Sequence, residues 1–167
     1  MRLRTRAVLV LAILIGGCGY TVNGTLPSDI KTISVPIFQN LTRQPGVEGL
    51  VTRAVVEAFS TNGRLKIATS ADADAILDGE VIGYNVYSIA FDKNANARQY
   101  RLIVTVNLQL RDRRKNEMLF KQSGVREQVD FRVQNAVSET ISLEETALKA
   151  AAVEIGRSIV SLTVTRF

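Results

Sequence analysis

Tyr100-Arg101-Leu102-Ile103-Val104-Thr105-Val106-Asn107-Leu108-Gln109-Leu110-Arg111 is the stretch from which the fold can be read. Leu102, Val104, Val106, Leu108 and Leu110 fall on one side of an extended chain, and Arg101, Thr105, Asn107, Gln109 and Arg111 on the other, with Ile103 the only exception. A period of two is the signature of a β-strand, and this one must press one face on a core while water wets the other. That is the pattern of an antiparallel sheet covered on a single side.

The neighbouring segments extend the pattern. Residues 112–116 form a charged turn, and residues 118–131 make another long strand, broken by Gly124. Upstream, residues 92–97 lead back to a strand over 75–87, where Leu77, Val81 and two glycines alternate with Ile76, Asp78, Glu80 and Ile82, so that its facing stays open. Successive hairpins of this kind imply a meander. Residues 32–38 read as a first strand that Pro36, lacking an N–H, confines to an edge or ends early, and residues 65–68 as a short one.

Two amphipathic helices complete the set. Val47, Leu50, Val51, Ala54, Val55, Ala58 and Phe59 keep three-four spacing, and Asn62-Gly63 supplies a left-handed stop. Ser142-Leu143-Glu144-Glu145 has the form of a capping box, which predicts a second helix start at Ser142, continued by Leu148, Ala151, Ala152, Ile155, Ile159 and Leu162. Each helix has one apolar face to bury, and so does the sheet. The expected fold is therefore α+β: a two-layer sandwich of two helices on one face of a mostly antiparallel four-stranded sheet.

The amino terminus is a separate matter. Arg2, Arg4 and Arg6 precede an apolar run over residues 7–15, too short to cross a bilayer core that needs about 20 residues. Ile15-Gly16-Gly17-Cys18 then resembles the bacterial lipobox, and Cys18 is the only cysteine. The expected organisation is a lipoprotein signal peptide over 1–17, an acylated tether over 18–30 and a single α/β sandwich domain over 31–167. Gly19 stands where inner-membrane lipoproteins commonly carry aspartate, which points to the inner leaflet of an outer membrane. No later apolar run is long enough to span a membrane, so the acyl chains at Cys18 would be the hold on it.

Charge and composition narrow the chemistry. The net charge of +5 includes three signal-segment arginines; without them 18 basic residues face 16 acids, which is no general footprint for nucleic acid. There is no histidine, and acylation would remove the one thiol, so histidine-bearing zinc sites and Ser-His-Asp or Cys-His relays lack a member. No cofactor motif is visible. Asp72, Asp74, Asp78 and Glu80 cluster in sequence, but the spacing suits structural acids better than a calcium loop or a hydrolase pair. Two basic groups remain. Arg111, Arg113, Arg114 and Lys115 crowd one turn and read first as a solvated hairpin tip, with phosphate binding as the lesser reading. Lys93, Arg98 and Arg101 flank the other turn, where Tyr100, Tyr84, Tyr87 and Phe91 add aromatic surface suited to a phosphorylated amphiphile.

Taken in order, Cys18-Gly19-Tyr20, Val35-Pro36-Ile37-Phe38-Gln39-Asn40, residues 48–59, Ala73-Asp74-Ala75-Ile76-Leu77-Asp78-Gly79 and residues 100–110 resemble the lipopolysaccharide-assembly lipoproteins of outer membranes, the transport protein E family. The resemblance implies a non-enzymatic, lipid-anchored protein seated largely in the lumen of the lipopolysaccharide transport β-barrel, on the periplasmic side, which helps that barrel assemble and lipopolysaccharide reach the cell surface. It also implies contact with the phosphorylated lipid through basic residues near a sheet tip, here Lys93, Arg98 and Arg101. The segment 135–142 carries Glu139 and no lysine or arginine, a departure if family members use basic groups there. The rival readings are a secretin pilot or an activator of a cell-wall synthase, and, from another class, a carboxylate hydrolase using Asp74 or Asp78.

Overall fold

The computed structural model describes residues 26–132 and 137–165. The expected signal peptide, Cys18 and most of the expected tether lie outside the described residues. Leu26 and Ile30, at the end of the tether stretch, already pack on the core. The elements run β1 (Thr32–Ser34), β2 (Gln39–Asn40), α1 (Val47–Asn62), β3 (Lys66–Ile67), β4 (Ala75–Phe91), β5 (Ala97–Asp112), β6 (Glu117–Arg132) and α2 (Val137–Thr165).

One sheet has the order β3-β1-β4-β5-β6, with β2 also pairing with β4. Strands β4, β5 and β6 form the expected antiparallel meander. The expectation of four strands is corrected to six, because short strands join parallel: β1, all that remains of the 32–38 segment, pairs with β3 and β4, and β2, just past that segment, pairs with β4. Pro36 lies between β1 and β2, where it cannot donate to a ladder. Strands of two or three residues are also too short for alternation to be seen. Helix α1 links β1 to β3, the crossover that parallel neighbours require.

Both helices lie on the face that carries Leu102, Val104, Val106, Leu108 and Leu110, all fully buried. Val47, Val51, Val55 and Phe59 are the buried stripe of α1, and Gly63 closes it in the left-handed conformation (φ 72°), its N–H reaching the Phe59 carbonyl at 3.0 Å. From α2 come Ala147, Leu148, Ala151, Ala152, Ile155 and Ile159. The start of α2 departs from expectation: the helix begins at Val137, and Ser142 lies inside it, its carbonyl taking the Thr146 hydroxyl at 2.8 Å. A Ser-x-x-Glu pattern caps only where the chain upstream is non-helical, and here the preceding turn is helix.

At the helix–helix contact, Gly156 lets α2 approach the backbone of α1. A β-carbon at that position would stand 2.7 Å from the Ala54 carbonyl oxygen. Gly156→Val should force the helices apart and lower stability by about 1–3 kcal/mol, the usual cost of overpacking. Thermal denaturation checks it, with Gly49→Val as the comparison, because nothing lies within 4 Å of a β-carbon there.

The facing of β4, open in the sequence, is resolved by a bulge. Val81 opposes Val106, but Gly83 opposes Thr105, so Ile82 is an extra residue and the parity changes. Leu77 and Val81 point inward before it, and Tyr84 and Val86 pack on the core after it. A second bulge lies opposite Asn107, where Gly124 adopts φ 70° and gives its N–H to the Asn107 Oδ1 at 3.0 Å. Among the described residues no helix is long and apolar enough to cross a membrane.

Candidate functional site

The meander brings the sequence-predicted basic residues to two opposite ends of the sheet. At the β4–β5 turn, Asp92 organises the loop. Its carboxylate accepts the backbone N–H of Asn94 (2.8 Å) and Asn96 (3.0 Å), the Asn96 side chain, and the Arg98 guanidinium through Nε (3.1 Å) and Nη2 (2.9 Å). These donors, led by those of Asn96, hold its pKa down at about 2. Lys93 projects from this loop, exposed and without an ion pair among the described residues.

Arg98 and Arg101 are not equivalent neighbours. Arg98 sits in a bulge of β5, since Gln99 opposes Ala90 while Ala97 opposes Phe91. Arg101 lies on the open face and forms a two-pronged pair with Asp130 on β6, at 2.7 and 2.8 Å. The pairing raises the Arg101 pKa and lowers that of Asp130, each mainly through the shared hydrogen bond. Tyr100, expected beside these cations, turns to the other face and stacks on Phe131 at a centroid distance of 5.7 Å. Alternation dictates this, because Tyr100 shares the parity of Leu102. Tyr84 also turns inward and donates to Glu144 at 2.6 Å; burial, then that hydrogen bond, raises its pKa. Tyr87 and Phe91 remain exposed.

At the opposite turn the cations stay exposed, as expected of a hairpin tip, but they are tied into a network of carboxylates and carbonyls. Arg114 pairs with Asp29 at 2.8 Å and approaches Asp74 at 3.7 Å, while Arg113 gives Nε to the Ala73 carbonyl at 2.8 Å. Asp112, whose side chain is wholly covered, accepts the N–H groups of Arg114 (2.8 Å) and Lys115 (3.0 Å). Those bonds hold its carboxyl below the usual range against the upward push of burial. Asp74 accepts from the Lys31 and Thr32 backbones at 3.0 Å each and the Thr32 hydroxyl at 2.8 Å, and returns its own N–H to that hydroxyl.

The acids that cluster in sequence are therefore dispersed. Asp74 serves this network, and Asp72 takes the Thr69 hydroxyl in a turn at 2.7 Å. Asp78 and Glu80 stand on the open sheet face, the first paired with Arg111 at 2.7 Å and the second 3.5 Å from Asn107. Among the described residues no group of three potential ligands could hold a metal ion. Asp92 and Asp130 are the site residues that the sequence reading missed. The Asp-x-Asn-x-Asn spacing of the turn was a local signal for Asp92. Asp130 had none, because only strand register places it opposite Arg101.

Comparison with known proteins agrees with this architecture. A minor lipoprotein from Acinetobacter baumannii superposes with a TM-score of 0.55 at 13% identity, covering 85% of this chain and 94% of that one. Lipoprotein B from Nitrosomonas europaea gives 0.52 at 16% identity, with 80% and 84% covered. The PelC dodecamer subunit from Paraburkholderia phytofirmans gives 0.53 at 13%, with 80% and 88% covered. At such identities the likeness speaks for the fold. No curated protein matches the sequence. The sequence profile of the lipopolysaccharide-assembly proteins, LptE, matches residues 30–163, which takes in every described strand, all of α1 and all but the last two residues of α2, and the chain belongs to that family.

Proposed function

We propose that this protein is an outer-membrane lipoprotein, held on the periplasmic side by acyl chains on Cys18, that plugs the lumen of the lipopolysaccharide transport β-barrel, helps it assemble and assists delivery of lipopolysaccharide to the cell surface. The observation that carries this reading is the open face of the sheet. It presents Arg101, Thr105, Asn107, Gln109 and Arg111, and both arginines are already paired, with Asp130 and Asp78. A barrel lumen is polar, and a polar face whose two arginines are matched by carboxylates suits such a lining. Family membership supports the same assignment.

The test is co-purification from detergent-solubilised outer membrane. The transport barrel should be recovered with the lipoprotein; recovery of a secretin or a peptidoglycan synthase in its place would support a rival. Cys18→Ala should abolish acylation, and the processed variant should leave membranes depleted of the barrel, because no helix among the described residues can anchor it.

Lipopolysaccharide contact belongs to the β4–β5 tip in this proposal, with Lys93, Arg98 and Arg101 as its cations. Lys93 has no ion pair among the described residues, and a phosphate would share Arg98 with Asp92 and Arg101 with Asp130. The doubly substituted Lys93→Glu/Arg98→Glu protein should bind lipopolysaccharide more than about tenfold more weakly, since charge-assisted contacts are the strong ones. Lys121→Glu/Arg126→Glu, at exposed positions of β6, is the charge-matched control. Equal affinity for the two variants would remove the tip as the lipid site.

A further inference from the structure

The two long borders of the sheet are treated differently. Among the described residues strand β6 is an edge along its whole length, and it carries Glu117, Lys121, Arg126, Glu127, Asp130 and Arg132 as well as the Gly124 bulge. Charges and bulges of this kind discourage pairing with another chain. The other border is capped by short strands: β1 meets β4 at residues 75–76, and β2 meets it at residues 80–81. Beyond Val81 the outer edge of β4 has no strand beside it among the described residues.

That free edge is Ile82-Gly83-Tyr84-Asn85-Val86-Tyr87-Ser88-Ile89-Ala90-Phe91, ten residues without a charge or a proline. Ile82, Tyr87, Ile89 and Phe91 are 40%, 53%, 39% and 61% exposed. Leu41, 61% exposed, leads into it, its N–H bound to the Val81 carbonyl at 2.9 Å. Between the bulges at Ile82 and Ile89, residues 83–88 form an uninterrupted ladder with β5, about the length of an ordinary strand. The outer side of such a ladder is a row of unpaired N–H and C=O groups. An uncharged, apolar edge left bare is a template for strand addition.

We infer that residues 82–91 of β4 take an extended strand from the transport barrel protein, by main-chain pairing on the border that β1 and β2 leave free. This rests on the proposed seat in the barrel. The edge is continuous with the open face assigned to the lumen, since Asp78 and Glu80 of that face lie on the same strand. The strands of a closed barrel have no free edge to offer, so the partner segment is an extended loop of the barrel protein rather than its wall. Its chemistry follows from the edge it meets: uncharged over about six residues, with apolar side chains at alternate positions to cover Tyr87 and Ile89.

The test uses the full-length acylated lipoprotein co-expressed with the barrel, carrying a photo-crosslinking residue at Tyr87, at Asn85 or, as control, at Gln128 on β6. Positions 85 and 87 should yield covalent adducts that map to one extended segment of the barrel protein, and position 128 should yield at least about tenfold less of that adduct. Tyr87→Lys/Ile89→Lys should lower barrel recovery more than about tenfold while the melting temperature of the isolated protein stays unchanged, as both side chains are exposed. Adducts with a second copy of this chain, adducts confined to the barrel wall strands, or equal adducts at position 128 would each overturn the inference and leave the barrel seat standing. Failure of the unsubstituted protein to recover the barrel would overturn both.

Discussion

Val106→Asp should prevent folding, whereas Ile103→Lys, three residues away on the same strand, should leave a folded domain. Val106 is fully buried in the middle of β5, opposite Val81 on one side and Val125 on the other. A carboxylate there would sit between two valines within an apolar core. Burying an unpaired charge costs several kcal/mol, against a typical total stability of about 5–15 kcal/mol. Ile103 has the opposite parity and opposes Asn85 and Gln128 on the open face, where an ammonium stays hydrated. Circular dichroism and thermal melts of the two variants check the prediction. Equal melting temperatures would undo the assignment of the faces. Asn107 would be a poorer control than alternation alone implies, because its side chain holds the Gly124 bulge and lies 3.5 Å from the Glu80 carboxylate.

Asp74→Ala should be the most damaging loss of a charge. It would strand the Lys31 and Thr32 N–H groups and the Thr32 hydroxyl, and free Arg114, at the junction where β1 meets β4. Hydrogen bonds to a charged group are worth about 1.5–3 kcal/mol when covered, and water can replace part of this, so a net loss of about 2–3 kcal/mol is expected. The pH dependence carries a signature. The Lys31 backbone, then the Thr32 hydroxyl, hold the Asp74 pKa below its ordinary value. A depressed folded-state pKa means that the unfolded chain takes up the proton first, so this stability is complete above about pH 4 and is lost as pH falls through the lower folded value. Denaturant titrations from pH 5 to pH 2 should show a shallower fall for Asp74→Asn than for the native protein. Parallel slopes would show that Asp74 does not supply that stability.

The two predictions draw on different kinds of information. The faces of β5, the stripe of α1 and its stop at Gly63 could be read from the residues, because each follows from a local period or from the backbone freedom of one glycine. The α+β class followed too, since one-faced helices and a one-faced sheet have a single economical way to bury apolar surface. The start of α2 was not legible at Ser142, because a capping signature takes its meaning from the conformation of the chain before it.

Tertiary structure alone decided the rest. Asp130 lies 29 positions from Arg101, Asp74 lies 42 from Thr32 and Asp29 lies 85 from Arg114, and no local rule couples residues so far apart. Their pairing depends on strand register, and register here turns on single-residue bulges at Ile82 and beside Gly124. The basic clusters were visible as composition, but whether each cation is free, shared or part of the scaffold depended on where distant carboxylates came to rest. The same holds for the bare border of β4. Its uncharged run stands in the sequence, yet only the places where β1 and β2 stop show that no strand among the described residues covers it.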